Sequence, residues 1–497
     1  MTLLERLALA AVSLHSDKKR KGFPLLMIII LVALFVGLQS GCAMSLLKIM
    51  IPTATTLNNG WMRSMIGENE VNLASAPTEQ EERYYSPAAL GFRENETRPR
   101  ESTLICDRSS HRTDVCIMKG DISTHSASST IFLVSGTPES GRQEQQEQKF
   151  KIKPYTRKWD SHAMASVDEL SLERLRDPAY APQCQVTHSV PALVFSTGGY
   201  TGNLFHDFTD VIVPLFITSY HLKGQVVFII LNHKPWWTRK FGDIIRQLSS
   251  YDILDFRKEI NTETHCFPEA IVGLRFHEDL WVNPALTQYN HTITDFQKML
   301  SRAFEDGNKR SIFQYSLLKS RSPKLVLIDR KRSRVFLNQK EIVEVAEKVG
   351  FRVIVLSPNV NTPMKEMYTI INSCDVFMGI HGAALTHFLF LPPGAVFVQV
   401  VPLGLGWASR TFFRKPAMKM DSISYLEYPI LPQESSLYDE YPKDHPYLRD
   451  PRSVNAKGWE ETKKVYLDNQ NVKLHLPRLE RMFIKALDLI HSRSNVN

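Results

Sequence analysis

From about residue 190 onward, short apolar runs alternate with amphipathic stretches along the chain. Runs such as PALVFS (191–196) and KLVLIDR (324–330) predict strands that are buried on both faces, and the stretches between them predict helices. This alternation is typical of a parallel sheet with helices on both sides. The alternation occurs on either side of a helical link near 292–320. We therefore predict an α/β protein with two Rossmann-like domains that face each other across a cleft, where ligands bind at the carboxyl ends of the strands.

The chain before residue 100 shows a different pattern. A dense basic cluster at 18–21 precedes a long apolar run, and a polar stretch without periodicity follows that run. About 20 apolar residues in a helix cross a bilayer, so we predict a cytosolic tail (1–22), a transmembrane signal-anchor (23–45) and a flexible stem (46–100). A cleaved signal peptide is the alternative, although no clear A-x-A site follows the run. We expect a single-pass membrane protein whose body is lumenal.

Cysteines and glycosylation sequons agree with a lumenal body. Five of the six cysteines follow the predicted anchor, which allows two disulfides and one thiol in an oxidising compartment. Cys106 and Cys116 flank a short loop and are the first candidate pair, whereas Cys374 lies next to a predicted central strand and is expected to be a buried thiol. The sequons at Asn95 and Asn290 are predicted glycosylation sites.

Composition restricts the class of protein only weakly. Of the 497 residues, 43% are apolar and 23% are charged, as in an ordinary globular protein. The formal charge of +8 includes four charges in the cluster at 18–21, so we expect no nucleic-acid partner. No Cys/His spacing indicates zinc, and no Asp-x-Asp occurs to hold a divalent metal with a nucleotide sugar. The G-x-S-x-G motif of α/β-hydrolases is also absent.

The stretch GIHGAA (379–384) lies where a predicted strand turns into a predicted helix. Glycines satisfy a tight turn, but a turn alone does not explain the histidine between them. Free N–H groups at a helix start attract anions, and the small alanines would let a phosphate approach. The basic run RKRSR (330–334) follows another strand of the same half, although a charged loop is often only solvated. Together the two strand ends predict a nucleotide diphosphate site formed by Arg330, Arg332, Gly379, His381, Gly382 and Ala383.

The first half contains a similar strand, glycine turn and helix in FSTGGYTGNLFHDFTD (195–210). His206 and Asp210 are four residues apart and share a helix face, so the carboxylate can orient the imidazole. Acidic residues at a helix start also favour the helix dipole, and this alternative explains Asp207 well. We predict that His206 and Asp210 are catalytic, with Asp207 as a further candidate and Asn203 as a donor-binding residue.

Three segments carry a resemblance to a known family: SCDVFMGIHGAALTHFLFLPPGAVFVQVVPLG (373–404), GGYTGNLFHDFTDVIVPLF (198–216) and GWEETKKVYLDNQNVKLHLPRLERMFIKALDL (458–489). They resemble plant members of glycosyltransferase family 61, and the resemblance runs from about residue 102 to the C-terminus. The family pattern Asn-x-x-His-x-x-x-Asp matches the motif at 203–210. Many members have Asn where this chain has His387. This difference from the family affects an expected contact with the sugar donor.

The resemblance implies a GT-B fold, with an acceptor-side domain at 101–320 and a nucleotide-sugar-binding domain at 321–497. It also implies a Golgi type II membrane protein that inverts the configuration of the transferred sugar and needs no bound metal or other cofactor. The similarity of ESSLYDEYPKDHPYLRDP (434–451) to the grass-expanded clade implies transfer of arabinofuranose or xylose from a UDP-sugar to xylan. An N-glycan β-1,2-xylosyltransferase and an inactive carbohydrate-binding relative are the alternatives.

An inverting transfer needs one general base at the acceptor and a cationic clamp at the departing diphosphate. We expect His206, with Asp210 behind it, to be the base. Arg330, Arg332 and the backbone of 379–384 are expected to form the clamp, with His381 as a donor to phosphate or sugar. Glu434 is a weaker candidate, because a loop glutamate is usually solvated.

Overall fold

The structure is a computed structural model, and it describes residues 102–134, 149–257, 263–305 and 322–494. All of these residues belong to one compact unit, which spans 78–497. They form two sheets with helices between and around them.

The first sheet has ten strands and mixes parallel with antiparallel pairing. Its parallel part has the order β10-β7-β8-β9, and β6 adds to β10 in parallel. A mostly antiparallel extension formed by β1–β5, in which β3 and β5 pair in parallel, joins this part where β2 pairs with β10. The predicted parallel arrangement therefore holds for one side of the sheet only. The strands are β1 Thr103–Asp107, β2 Val115–His125, β3 Thr130–Val134, β4 Lys149–Ile152, β5 Leu170–Leu175, β6 Val186–Thr187, β7 Ala192–Ser196, β8 Val227–Leu231, β9 Leu254–Asp255 and β10 His265–Val272.

The second sheet has five strands, all parallel, in the order β12-β11-β13-β14-β15. The two strands that flank β13 are β11 and β14, and all residues of β13 and β14 are buried. This is the continuous apolar pattern expected of a parallel sheet with both faces covered. The strands are β11 Lys324–Ile328, β12 Arg352–Leu356, β13 Val376–Ile380, β14 Val396–Val401 and β15 Ser424–Pro429.

Most connections between strands contain helices. The α-helices are Ser161–Met164, Leu204–His206, Val213–Ser219, Pro235–Ile245, Ile293–Phe304, Gln339–Val349, Met364–Ile371, Gly406–Ser409, Lys415–Met418, Leu437–Glu440, Pro446–Arg449, Pro451–Asn455, Trp459–Thr462 and Leu476–Ser494. π-Helical segments cover Asp207–Ile212, Arg410–Arg414 and Lys463–Asp468. 3₁₀ helices are Ser126–Ser128, Pro178–Tyr180, Tyr220–Leu222, Pro284–Leu286, Ala383–Phe390 and Pro432–Glu434.

One hydrophobic core joins the two sheets. It combines buried residues of the first half, such as Phe208 and Phe296, with buried residues of the second half, such as Phe388 and Phe390. The ring centroids of Phe208 and Phe390 lie 6.0 Å apart. Since a continuous apolar core resists relative movement of the elements that share it, the carboxyl ends of the two sheets are held in a fixed relationship.

The predicted disulfide between Cys106 and Cys116 is confirmed, and Cys374 is a buried free thiol as expected. A second disulfide joins Cys184 to Cys266 across 82 residues of chain. It ties the segment before β6 to β10, within the parallel part of the first sheet.

The expectation of a single-pass Golgi membrane protein is contradicted. No helix in the part of the chain that the structure describes is long and apolar enough to cross a membrane. The longest described helix, Leu476–Ser494, carries five charged residues between Arg478 and Asp488. The predicted tail, anchor and stem (1–100) lie outside the described residues.

Candidate active site

The stretch 379–384, hereafter the glycine turn, connects β13 to a 3₁₀ helix rather than to the predicted α-helix. Gly379 is required by packing, because a Cβ atom there would lie 2.8 Å from the side chain of Leu385 and 3.1 Å from Cβ of Ile328 on β11. Gly382 has a φ of 154°, a conformation that glycine adopts without strain. Ala383 begins the helix and is partly exposed.

Two arginines approach Gly382. A Cβ atom on Gly382 would collide with Nη1 of Arg330 and would lie 3.2 Å from Nη1 of Arg334. Nε of Arg330 donates to the carbonyl of Ser333 over 2.9 Å, and Nη1 of Arg334 donates to the carbonyl of His381 over 3.0 Å. Glycine at 382 therefore leaves the space in which two guanidinium groups meet the backbone of the turn.

Arg330 and Arg334, hereafter the arginine pair, form no ion pair with a carboxylate of the described residues. Burial, and then the charge of Arg330, lower the pKa of Arg334 to about 9, and the attraction of Asp468 opposes this only in part. Burial also lowers the pKa of Arg330. Nε of Arg334 is buried without a hydrogen-bond partner. Because an unpaired buried charge is unfavourable, this arrangement is suited to an anionic ligand.

The structure places Arg332, a predicted site residue, on the exposed surface. The sequence reasoning missed Arg334, although it belongs to the same basic run. Arg334 has a φ of 54°, in the left-handed region, and is only 9% exposed. The sequence shows that the run at 330–334 is basic, but it does not show which of its side chains point into the protein.

His381 is buried between the arginine pair and β14. Its Nδ1 lies 2.9 Å from Nε2 of Gln399, and Oε1 of Gln399 accepts from the hydroxyl of Tyr425 over 2.6 Å. Burial, followed by the charges of Arg334 and Arg330, lowers the pKa of His381 to about 3. The imidazole is therefore neutral and has one N–H group to donate.

His206 and Asp210 meet as their spacing predicted. Nδ1 of His206 lies 2.9 Å from Oδ2 of Asp210, and the same oxygen accepts from Nε of Arg157 over 2.7 Å and from the hydroxyl of Tyr155 over 3.1 Å. Although Asp210 is fully buried, the charge of Arg157 and the contact with His206 hold the pKa of its carboxyl well below the usual range. Arg112 adds a further positive charge, with Nη2 3.7 Å from Oδ1 of Asp210.

This geometry assigns the proton on His206. An ionised carboxylate accepts hydrogen bonds only, so the neutral imidazole carries its proton on Nδ1 and leaves the lone pair of Nε2 free. The side chain of His206 is 18% exposed, whereas that of Asp210 is inaccessible. His206 can therefore take a proton from a bound ligand, and Asp210 acts through the imidazole.

Asp207 has a structural environment. Its Oδ1 accepts from the backbone N–H of Gly202 over 3.1 Å and from the indole Nε1 of Trp237 over 3.0 Å. Burial, opposed by these hydrogen bonds, raises the pKa of Asp207 to about 6. The carboxylate holds the turn before the helix against Trp237.

Asn203 caps a helix. Its side-chain oxygen accepts from the backbone N–H of Phe205 over 3.1 Å, as an N-cap residue does. The residue is exposed and lies in the first half of the protein. The structure thus gives the side chain of Asn203 a helix-capping role. Its contact with the sugar donor stays a prediction.

The two predicted motifs lie close together. The short helix that carries His206 packs against the 3₁₀ helix that follows the glycine turn. The ring of Phe205 lies 5.0 Å from Phe412 and 5.8 Å from Phe413, and Phe413 lies 5.4 Å from the ring of His381. Aromatic contacts therefore link the base candidate His206 to the anion-binding candidate His381.

Other candidates have settled environments. Nδ1 of the buried His387 donates to the carbonyl of Ala384 over 2.7 Å, so the residue supports the start of the 3₁₀ helix. Glu434 is buried, and its carboxylate accepts from Tyr428, from Arg478 and from two backbone N–H groups. It therefore organises the end of the second sheet rather than a ligand site. Asn290 is exposed, and its glycosylation stays a prediction. Asn95 lies outside the described residues.

The sequence reasoning also missed Tyr155, Arg157, Gln399 and Tyr425. Tyr155 and Arg157 lie 55 and 53 positions before Asp210, and Gln399 and Tyr425 lie on the neighbouring strands β14 and β15. Long-range contacts of this kind leave no local pattern. The described residues contain no cluster of three His, Cys, Asp or Glu side chains that could hold a metal ion. The carboxylates at the site are instead bound by arginine, histidine, tyrosine and tryptophan.

Comparison with known proteins adds a family. The family model for glycosyltransferase 61 matches residues 204–398, which contain His206, Asp210 and the glycine turn. A xylan glycosyltransferase of Arabidopsis thaliana is 44% identical over 402 residues, covering 78% of this chain and 80% of the relative. An alpha-1,3-arabinosyltransferase of rice is 38% identical, and the matched region covers 78% of this chain and 65% of the relative. A beta-1,2-xylosyltransferase of rice is 36% identical, with coverages of 78% and 85%.

Proposed function

The chain belongs to glycosyltransferase family 61, and from this premise we propose that it transfers a pentose, arabinofuranose or xylose, from a UDP-sugar to a hydroxyl group of xylan. The pentose and the acceptor follow from the names of the relatives, which are a xylan glycosyltransferase, an arabinosyltransferase and a xylosyltransferase. The observation that carries the proposal is the arginine pair at Gly382, in which Arg334 is buried, Arg330 is half-buried, and neither forms an ion pair with a carboxylate of the described residues.

The arginine pair and the glycine turn would bind the diphosphate of the donor. Guanidinium groups bind phosphate through charge-assisted hydrogen bonds, each worth about 1.5–3 kcal/mol. The 3₁₀ helix begins at Ala383, so the N–H groups of its first turn directly follow Gly382, the residue that the arginine pair approaches. Arg330 and Arg334 are therefore the donor-binding residues of this proposal, and the exposed Arg332 is not included in it.

His206 would act as the general base. In a single displacement, the acceptor oxygen bonds to the anomeric carbon as the bond from that carbon to the diphosphate oxygen breaks. The acceptor proton passes to Nε2 of His206, and the electron pair of the broken bond stays on UDP. Asp210 accepts from Nδ1 and stabilises the imidazolium that forms.

His381 would donate to the departing diphosphate. It is neutral and lies beside the arginine pair, where negative charge develops as the sugar leaves. Base and clamp come from different halves of the chain, so the attacking oxygen and the leaving oxygen can lie on opposite faces of the sugar. This arrangement supports transfer with inversion.

The two sheets also support the GT-B architecture and the division into an acceptor-side domain (101–320) and a donor-side domain (321–497). Described residues 324–429 form a complete parallel sheet of their own, and the glycine turn lies at the carboxyl end of its strand β13. Ligands bind at this end of parallel α/β sheets. The shared core between the sheets implies that closure of the cleft is a small movement.

The test is a transfer assay with the purified full-length chain. UDP-arabinofuranose and UDP-xylose are each incubated with xylo-oligosaccharides, and mass spectrometry detects addition of one pentose, while NMR reads the configuration of the new bond. We expect transfer from at least one donor with inversion, and no transfer by the Arg330→Ala, Arg334→Ala double variant. Failure of the wild-type chain to transfer a pentose, combined with failure to bind UDP, would overturn the proposal.

A further inference from the structure

We propose that Gln399, held in place by Tyr425, fixes the position of the proton on His381 and thereby makes Nε2 of His381 a hydrogen-bond donor to the diphosphate. This inference rests on the proposed function for the identity of the ligand. The hydrogen-bond chain itself is a property of the protein alone. Gln399 and Tyr425 are positioning residues, since they act through His381.

The first step concerns the charge of His381. The residue is 5% exposed, and the charges of Arg334 and Arg330 act on it from the end of β11. They and burial lower its pKa to about 3, so the imidazole stays neutral at any pH at which the protein works. A neutral imidazole donates from only one nitrogen, and the hydrogen bond made by the other nitrogen decides which one.

The second step concerns the orientation of the Gln399 amide. The oxygen and nitrogen of an amide are assigned from the surrounding hydrogen bonds. The hydroxyl of Tyr425 lies 2.6 Å from one end of the amide, and Nδ1 of His381 lies 2.9 Å from the other. A separation of 2.6 Å is typical of O–H···O bonds, whereas N–H···O bonds are usually longer. The end facing Tyr425 is therefore the oxygen, and the end facing His381 is the NH₂ group.

The alternative orientation is disfavoured by Glu427. If the amide were reversed, its NH₂ group would donate to Tyr425, and the hydroxyl of Tyr425 would have to donate to Glu427. That carboxylate oxygen is 3.3 Å away, which is long for an O–H···O⁻ bond. The same oxygen lies 3.6 Å from Nη1 of Arg414, so Glu427 already has a cationic neighbour.

The third step gives the consequence for His381. Since the NH₂ group of Gln399 donates to Nδ1, the proton of the imidazole is on Nε2. Nε2 has no hydrogen-bond partner among the described residues. The ring contacts Phe413 on one side, and the backbone carbonyl of His381 is bound by Arg334. The free N–H group therefore lies beside the arginine pair, where the proposed function places the diphosphate.

The first experiment reads the proton directly, without any ligand. The full-length protein is labelled with ¹⁵N-histidine, and the His381 signals are assigned by comparison with His381→Asn. We expect Nε2 to carry the proton in the wild type and Nδ1 to carry one in Gln399→Glu, whose carboxylate is an acceptor. A proton on Nδ1 in the wild type would overturn the inference, and this result does not depend on the enzyme's activity.

The second experiment measures UDP affinity by calorimetry between pH 5 and 8, each variant being compared with the wild type in the same buffer. In the wild type, His381 does not titrate in this range. In Gln399→Glu, the cationic imidazole at low pH still donates from Nε2, but the neutral form turns a lone pair toward the phosphate. UDP affinity relative to the wild type should therefore fall about ten- to a hundredfold as the pH rises.

This pH dependence separates positioning from mere packing. It should disappear in the Gln399→Glu, His381→Asn double variant, because the titrating group is gone. Tyr425→Phe, which removes the hydroxyl that orients the amide, should weaken UDP binding in the wild-type background and have no further effect on His381→Asn. A pH-independent loss in Gln399→Glu would contradict the inference. Absence of UDP binding by the wild type would instead refute the proposed function and leave the proton assignment standing.

Discussion

Replacement of Arg334 by methionine should stabilise the ligand-free protein and weaken its binding of UDP. Methionine is of similar length but carries no charge, so Arg334→Met removes one member of the arginine pair and keeps most of the packing. Most substitutions that weaken ligand binding leave the stability of the protein unchanged or reduce it. An increase in stability together with a decrease in UDP affinity is therefore the specific consequence of a buried charge that only an anionic ligand neutralises.

The magnitude follows from the pKa of Arg334. A pKa lowered from 12.5 to about 9 corresponds to about 5 kcal/mol, because one pKa unit is worth about 1.4 kcal/mol. Since the charged form is the disfavoured one, this cost is present in full below pH 9 and is relieved only as the pH rises toward 12.5. Loss of the hydrogen bond to the carbonyl of His381 offsets about 1 kcal/mol. We expect a net stabilisation of about 2–4 kcal/mol.

The assay is denaturant unfolding of the ligand-free protein, with UDP affinity measured by calorimetry. Arg334→Met should raise the free energy of unfolding and weaken UDP binding at least about tenfold, equivalent to one charged hydrogen bond. The matched control is Arg332→Met, two positions away in the same basic run but exposed, which should change neither quantity by much. If Arg334→Met instead destabilises the protein and leaves UDP affinity unchanged, Arg334 is a structural residue and the reasoning fails.

Three further predictions follow from the first half of the site and from the clamp. His206→Ala should lower kcat by about 10²–10⁴ and leave the Kd for UDP unchanged. Asp210→Asn should lower kcat less, but it should destabilise the fold because Arg157 loses its buried ion pair with Asp210. A large loss of kcat in Asp207→Asn with full activity in His206→Ala would reverse that assignment. Because the pKa of Asp207 is raised to about 6, the free energy of unfolding should fall by about 3 kcal/mol between pH 4 and 6. Asp207→Asn keeps the oxygen that faces Trp237 and should abolish that fall in denaturant titrations. Turnover should survive excess EDTA, since the arginine pair neutralises the diphosphate; loss of activity that only Mn²⁺ restores would contradict this.

The sequence predicted those features of the site that depend on local spacing. His206 and Asp210 are one helical turn apart, so their contact follows from the helix itself. The glycine turn follows from a strand that ends at two glycines flanking a histidine. The central strands β11, β13 and β14 of the five-stranded sheet were also predictable, because buried parallel strands leave continuous apolar runs.

Features that depend on tertiary contacts were not predictable. The strands β1–β5 lie in a region without clear alternation, and β2 joins the parallel part of the sheet by pairing with β10, about 150 residues later. Arg334 turns inward through a left-handed backbone conformation that residues other than glycine seldom adopt. The position of Asn203 in its motif indicated ligand binding, which stays a prediction, and gave no sign of its capping hydrogen bond.

The shared core explains how this protein tolerates an unfavourable site. The unpaired charge of Arg334 costs about 5 kcal/mol, and full burial of one large apolar side chain contributes about 1.5–3 kcal/mol. Two or three rings of the core therefore offset the cost of Arg334, and the core contains many more. Rings such as Phe208 and Phe390 come from opposite halves of the chain, so the same contacts that supply this stability also fix the distance between base and clamp. Stability and catalytic geometry thus depend on one set of contacts, and a cavity in this core would impair transfer even where no residue touches the ligand.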